Sequence, residues 1–467
     1  MSESRSRAVW LMITCALVIL IALFVASRHR RALRTDSPVT AIQTNDGQHE
    51  LVSIRSNPAS WKHAARSASA APATAEEIVT AKLKQFARSR RDVMCAMAKQ
   101  KNMTVPDVVE RFFDAVESGG WTEIKIAFDA INGGEANAGF GERRLPEVKQ
   151  LWAPIVDAYG VAEQVHLWPA QKLLDYGNAV LGSLRPGMVY VGGTDEGRWV
   201  PTLLNETSDG EHHIVLTQNA LADGTYLDYL RFLYADHFNP LSNEDSQHAF
   251  GDYMTDAQKR LAHDQQFPDE PKQVRPNESI QIVDGHTTVS GVVAVMDVNE
   301  RLLRALMDKN PELSFALQES FPLKGTYDSA APLGPIMELR AQDQNSFTAE
   351  RAADSVNYWR SVADQLRTSP DDSSEQAASK SYSKLAVGQA NLLAERGFAE
   401  SAEQTYRIAL GIVPSNTDAV IGLADLLERN GRADDAQGLL DQFAREHPKE
   451  FAGVKRSRAQ GSITVTR

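Results

Sequence analysis

The sequence predicts an α/β protein with large all-α additions: a single N-terminal transmembrane helix, a helical region, a mostly parallel α/β sheet domain and a C-terminal pair of helical hairpins. Three observations lead to this prediction. Residues 8–27 carry no charge, short apolar strands alternate with helices from residue 186 onward, and a 34-residue repeat occupies the end of the chain. Alternating strands and helices are typical of a parallel sheet covered by helices.

The composition limits the class of protein. The chain has 467 residues, of which 42% are hydrophobic and 24% charged, a balance that excludes wholesale disorder and a polytopic membrane protein. The formal net charge of -12 is unfavourable for nucleic acid, so we expect no nucleic-acid partner. Two cysteines are too few for a disulfide scaffold or a four-cysteine zinc site.

The first predicted element, residues 8–27, has the length of a membrane span. Twenty helical residues extend ~30 Å, the thickness of the hydrocarbon core. A cleaved secretory signal, the alternative, has a shorter apolar region, whereas this run ends in Arg-His-Arg-Arg. We therefore expect an uncleaved anchor. Arginines flank the run on both sides, so charge alone leaves open which side of the membrane the body lies on.

Changes in composition and periodicity divide the rest of the chain. A stretch rich in Ser, Ala, Thr and Pro precedes the first helical periodicity, and Pro186-Gly187 marks the change from helices to strands. The predicted divisions are an anchor at 1–34, a flexible linker at 35–73, a helical region at 74–185, the α/β domain at 186–347, a helix and linker at 348–382, two repeats at 383–450 and a tail at 451–467.

Short apolar runs bounded by turn residues predict the strands of the α/β domain. They lie at 188–191, 213–217, 279–283, 286–290, 292–296, 313–317 and 336–339. The strongest turn signal is Asp284-Gly285, which separates two of these runs and predicts a hairpin.

The repeat appears when the chain is shifted by 34 residues. The shift superimposes Gly397 on Gly431, Ala402 on Ala436 and Pro414 on Pro448. This pattern resembles the tetratricopeptide repeat, in which a glycine forms the turn between two helices, a small alanine lets the helices approach, and a proline closes the unit. The sequence departs from the family pattern in lacking its early tryptophan, since Ala386 and Val420 stand at those places.

Two such repeats are fewer than the three that usually bury a core. We therefore expect them to lean on the helix at 348–366 and on the α/β body. Two roles are open: a structural buttress for that body, or a groove that binds a protein partner.

Polar residues that follow the predicted strands form the candidate ligand site. If the strands are neighbours, Gly193, Asp195, Arg198, Asn219 and Glu319 converge at the carboxyl edge of the sheet, where α/β proteins bind ligands. The alternative is that an Asp–Arg pair fixes the loops. Asp195 also stands at the start of a predicted helix, where it would serve as the N-terminal cap.

Sequence motifs give no support for a cofactor, a metal or a catalytic residue. Gly192 and Gly197 have the spacing of a phosphate-binding loop, but Arg198-Trp199 follow where Lys-Ser/Thr is required. His212-His213 would face opposite sides of a strand, and the other histidines lack metal-binding spacing. No Gly-x-Ser-x-Gly motif occurs. We therefore expect no cofactor and no metal.

The stretch 185–230 resembles the soluble C-terminal part of bacterial O-mannosyltransferase-like multi-span membrane proteins. Gly193, Asp195 and Asn219 match a strand, a Gly/Asp-rich turn and a second strand ending in Asn, in that order. The resemblance extends from residue 186 to the end of the chain and implies an extracytoplasmic accessory domain. The multi-span catalytic half of those proteins has no counterpart here.

Together these patterns predict a non-catalytic scaffold or partner-binding protein of a bacterial envelope, with a possible link to glycan-related machinery. It would be a single-pass protein of the inner membrane with an extracytoplasmic body and a protein partner. The alternative is an enzyme or small-ligand receptor that uses the strand ends around Asp195 and Arg198.

Overall fold

The computed structural model describes residues 73–132, 145–193, 195–275, 278–283, 286–319, 323–339, 347–367 and 375–461. The α-helices, numbered in chain order, are α1 (Ala75–Gln100), α2 (Asp107–Ser118), α3 (Trp121–Asn132), α4 (Trp152–Leu167), α5 (Ala170–Leu181), α6 (Glu196–Glu206), α7 (Gly224–Tyr234), α8 (Asn243–Gln266), α9 (Val292–Asp308), α10 (Ala349–Arg367), α11 (Glu375–Glu395), α12 (Ala399–Ile412), α13 (Thr417–Arg429), α14 (Ala433–Glu446) and α15 (Pro448–Gly461). Short 3-10 helices occupy Pro146–Leu151, Gln218–Ala220 and Lys324–Ser329.

Two small sheets lie among these helices. The strands are β1 (Val189–Gly192), β2 (Ile214–Thr217), β3 (Ser279–Val283), β4 (His286–Ser290), β5 (Phe315–Leu317), β6 (Ala330–Leu333) and β7 (Ile336–Leu339). Five of them form a sheet in the order β2-β1-β5-β7-β6, and β3 and β4 form a hairpin. β1 pairs in parallel with β2 and β5, whereas β7 is antiparallel to both of its neighbours. Among the described strands, parallel pairing is thus limited to β1, β2 and β5.

The predicted fold class is therefore wrong. Helices make up about 70% of the structure, and the sheets are small and mixed rather than mostly parallel. None of the described helices combines the length and the apolar character needed to cross a membrane, and the span predicted at 8–27 lies outside the described residues. The C-terminal helices agree with the prediction. The strands contain only three to five residues each, so they account for a small share of a chain whose helices are several times longer.

One hydrophobic core runs from α1 through the sheet into the C-terminal helices. α1 shows how the sequence builds it. A capping box between Thr74 and Glu77 begins the helix, and Val79, Leu83 and Phe86 recur at helical spacing and are buried. The repeats and the body therefore share one core.

The β3–β4 hairpin is held by α8, α9 and a buried carboxylate. Glu278, whose side chain is fully buried, accepts hydrogen bonds from Tyr253 at 2.6 Å and from Arg260 at 2.7 Å, and it pairs with Arg275 at 3.3 Å. The arrangement anchors the start of β3 to α8.

The strand predicted at 292–296 is instead the first part of α9. Gly291, with φ of +106°, turns the chain out of β4 and into this helix. Ala294, Val298 and Leu302 are buried at four-residue spacing, which is the period of a helix rather than a strand.

Candidate functional site

Three of the five predicted ligand residues lie at the carboxyl edge of the sheet. Gly193 follows β1, Asn219 follows β2, and Glu319 follows β5; these three strands are parallel neighbours. All three residues are buried, Asn219 being 9% and Glu319 6% exposed. The parallel pairing thus brings them together, but it places them inside the protein rather than on an open surface.

Asp195 begins α6 and also joins this helix to α11. One carboxylate oxygen accepts a hydrogen bond from the Gly197 N–H at 3.1 Å, which caps the helix as expected. The other lies 2.7 Å from the Nζ of Lys384. Beside it, the Ser381 hydroxyl donates to Glu196. The N-terminus of α6 is therefore covered by α11.

The charges at this contact influence one another. Burial opposes the charge of Lys384, but Asp195 and Glu196 overcome it and raise the pKa of the ammonium. Burial, followed by the charge of Asp195, raises the pKa of Glu196. One lysine thus stabilises two adjacent carboxylates at the start of α6.

Arg198 does not lie with the other predicted ligand residues. It is 4% exposed, bonds to Asp157 of α4, and stacks over Trp199 with 4.0 Å between the guanidinium carbon and the ring centre. Asp157 also accepts a hydrogen bond from Tyr229 at 2.7 Å and lies 3.4 Å from the Nε of Arg90. The alternative, an Asp–Arg pair that fixes the loops at the strand ends, is not what forms here: Arg198 pairs with Asp157 of another helix, and Asp195 pairs with Lys384.

This buried network links four helices. Arg90 of α1 adds an ion pair of 3.0 Å with Glu206, at the end of α6. Burial opposes the charge of Arg90, yet the surrounding Tyr229, Glu206 and Asp157 raise its pKa well above the usual value. The network contains two arginines and two carboxylates, so its charges balance, and its contacts are all within the protein. Such an arrangement holds the four helices in register.

Among the described residues, Glu319 accepts two hydrogen bonds and forms no ion pair. The Leu323 N–H donates at 2.7 Å and the Tyr327 hydroxyl at 2.8 Å. Burial raises the pKa of this carboxyl group to about 7, although both donors favour the ionised form. A carboxyl group of this kind has the proton affinity of a general acid or base, but it needs access to a substrate to act as one.

The space around Glu319 is too small for a substrate. Between the sheet and α11 there is a void of about 10 Å³, lined by Glu319, Leu317 and Met337 on one side and by Leu385, Gly388 and Gln389 on the other. A void of this size holds at most one water molecule. Within the described part of the chain, no group of three or more His, Cys, Asp or Glu residues is arranged for a metal ion.

The glycines, alanines and prolines of the repeat occupy the positions that a helical hairpin requires. Gly397 and Gly431 follow α11 and α13 with φ of +83° and +76°, the left-handed region that glycine favours. Ala402 and Ala436 are fully buried in α12 and α14. Pro414 lies in the turn after α12, and Pro448 is the first residue of α15. The four helices α11 to α14 therefore form two hairpins, followed by α15.

Residues 393–461 match the family model of the tetratricopeptide repeat. The match supports the tetratricopeptide prediction; it begins near the end of α11 and includes α15. Comparisons with curated proteins and with solved structures found no match. They give no support for the resemblance to O-mannosyltransferase-like proteins.

On the body side, α11 packs against β6, β7 and the 3-10 helix at Lys324–Ser329, which occupy the position of a preceding repeat. Glu395 of the first repeat pairs with Lys324 of the body at 3.2 Å, and the same carboxylate lies 3.7 Å from Arg429, its 34-residue equivalent in the second repeat. A side chain at Gly388 would meet Glu319 and Met337 of the sheet.

The second repeat shows the same arrangement one unit further along. A side chain at Gly422, the equivalent of Gly388, would meet Tyr406 of the first repeat. The face that α11 turns to the sheet is thus the face that α13 turns to the first repeat. On the other side, α10 packs against α12.

The sequence did not predict the residues of α11 that contact the sheet. Gln389 is fully buried; its amide donates to the carbonyl oxygens of Gly334 at 2.6 Å and Ile336 at 2.8 Å and accepts from Trp359 at 3.0 Å. A signal for it exists, because the 34-residue shift places Leu423 at the equivalent position. A polar residue where the other repeat has leucine indicates a neighbour that is not another repeat.

Proposed function

We propose that this chain is a non-catalytic scaffold that binds a protein partner through its tetratricopeptide repeats. The observation that carries the proposal is that the two repeats pack against different parts of the molecule. The first is built into the body through α11, whereas the contacts of the second, among the described elements, are mainly with the first repeat and with α15. A protein-interaction role is what the family match suggests.

The surface of the second repeat supplies the groups that a partner would contact. On α13, Asp418, Glu428 and Arg429 are exposed, and Ile421 and Asp425 are half-buried. Burial raises the pKa of Asp425, although the neighbouring positive charge of Arg458 opposes the shift. A mixed apolar and charged surface of this kind is typical of transient protein contacts.

The enzyme or receptor alternative has less support. It required an open site around Asp195 and Arg198, and these two residues are engaged in separate contacts with Lys384 and Asp157. The void near Glu319 is too small for a ligand.

Two finer parts of the prediction rest on sequence alone. The inner-membrane location with an extracytoplasmic body depends on residues 8–27, outside the described residues. The association with glycan-related machinery depends on the resemblance, which the comparisons do not support.

Site-specific photo-crosslinking in cells of the native host tests the proposal. A photoreactive residue at Ile421 or Glu428 is expected to capture a discrete partner band. The same residue at Gly210, an exposed position in the loop after α6, serves as the control. Equal capture from Gly210, or no capture from α13, would contradict a partner surface on the second repeat.

A further inference from the structure

We propose that the contact between α11 and the sheet is pH-sensitive, because the buried carboxyl group of Glu319 lies within it and has no cation paired to it among the described residues. This inference goes beyond partner binding and does not depend on it. It concerns how firmly the first repeat is attached to the body.

The geometry places Glu319 directly beneath the backbone of α11. A Cβ atom at Gly388 would lie 3.6 Å from the carboxylate of Glu319. A Cβ atom here would thus be in van der Waals contact with the acid, and Leu385 and Gln389 line the same contact. The acid is therefore an interface residue although it belongs to the sheet.

At most one water molecule can reach the ionised form while α11 remains in place. The adjoining void of about 10 Å³ is at the lower limit for a single water molecule. Among the described residues, an ionised carboxylate in such surroundings is stabilised by two hydrogen bonds, from Leu323 and Tyr327. Separation of α11 from the sheet would hydrate the charge.

The charged groups that face Glu319 are already engaged elsewhere. Lys324, on the 3-10 helix, pairs with Glu395 at 3.2 Å, and Lys384, on α11, pairs with Asp195 at 2.7 Å. From α12, the Tyr406 hydroxyl donates to Asn391.

The sign of the effect follows from the raised pKa. Glu319 titrates at about 7 in the folded protein and at ~4.3 when exposed. The attached state therefore holds its proton over a pH range in which the detached state has lost it. Attachment of α11 weakens as pH rises from about 4.3 to 7 and changes little above that.

Hydrogen exchange of the full chain at pH 5 and pH 8 tests the proposal, with each rate divided by the intrinsic rate at that pH. We expect amides of α11 to lose protection at least tenfold between pH 5 and pH 8. Glu319→Gln, which resembles the protonated acid, should abolish most of this loss. Glu278→Gln, at a buried acid whose pKa lies far below this range, should leave it unchanged.

Three outcomes would overturn the proposal. The first is an equal pH dependence of exchange in Glu319→Gln and the unsubstituted protein. The second is unchanged protection of α11 between pH 5 and pH 8. The third is an equal loss of protection in α1, which would indicate destabilisation of the whole molecule. If Glu319→Gln does not fold, Tyr327→Phe provides the second test. It removes a donor that favours the ionised form, so the midpoint of the α11 transition should move to higher pH; an unchanged midpoint counts against the proposal.

Discussion

Lys384 of α11 and Asp195 of α6 form an ion pair of 2.7 Å between residues 189 positions apart in the chain. The carboxylate of Asp195 also accepts from the Gly197 N–H. One side chain thus caps a helix of the body and binds the first tetratricopeptide repeat. Substitutions can separate these two roles.

Asp195→Ala removes both the cap and the ion pair, whereas Asp195→Asn keeps a capping oxygen and loses only the charge. We expect the alanine variant to lose about 0.5–2 kcal/mol of unfolding free energy through the cap. The asparagine variant should lose less than about 1 kcal/mol, because the side chain of Lys384 is 38% exposed. Urea denaturation measures both. Equal losses would show that Asp195 does not stabilise α6 as a cap.

Arg198→Met should be among the most destabilising single changes. It leaves Asp157 buried with one guanidinium partner fewer, and breaking a buried pair costs about 3–5 kcal/mol. Arg88→Met is the matched control, since the Arg88 side chain is 68% exposed and its pair with Glu117 should contribute less than about 1 kcal/mol. Similar unfolding midpoints for the two variants would show that the network contributes little.

The low pKa of Glu278 leads us to expect a loss of stability of the β3–β4 hairpin in acid. Burial opposes ionisation, but hydrogen bonds from Arg260 and Tyr253 lower its pKa to about 2. The stability it contributes is present above the unfolded pKa of ~4.3 and is lost as pH falls toward 2. Hydrogen exchange in β3 and β4 should therefore accelerate, relative to intrinsic rates, between pH 5 and pH 3. Glu278→Gln should reduce this dependence; an unaltered dependence would assign it to other acids.

Ala402→Phe or Ala436→Phe should overpack the contact between the two helices of a repeat. Both alanines are fully buried, so we expect a loss of about 1–3 kcal/mol in unfolding free energy. Ala452→Phe, at an exposed position on α15, is the control and should change stability by less than about 0.5 kcal/mol. A neutral effect at Ala402 would show that the helices have room to separate.

Local signals in the sequence predicted local structure well. Asp284-Gly285 and the alternating residues around it gave both strands of the β3–β4 hairpin with the bounds observed. Strand β6 was missed because Pro332 argues against a strand. The structure places this strand at the edge of the sheet, where proline is tolerated.

Long-range contacts were beyond the reach of sequence patterns. Asp195 was recognised as a helix cap because a cap depends on neighbouring residues. Its pairing with Lys384 depends on the path of the chain through the sheet and repeats. Arg198 was assigned to the strand ends because it lies three positions after Asp195. That spacing does not reveal that α4 brings Asp157 beneath the guanidinium group.

The position of α11 on the sheet has a consequence for synthesis of the protein. Ser381 contacts Glu196 across 185 positions of the chain, so the carboxyl edge of the sheet leaves the ribosome long before its cover does. At about 5–20 residues per second, that delay is roughly 10–40 s. During this interval the N-terminus of α6 has no α11 to cover it, and once β6 and β7 are made they also remain uncovered until α11 follows. A nascent chain stalled before α11 should therefore be a better substrate for chaperones than one stalled after it.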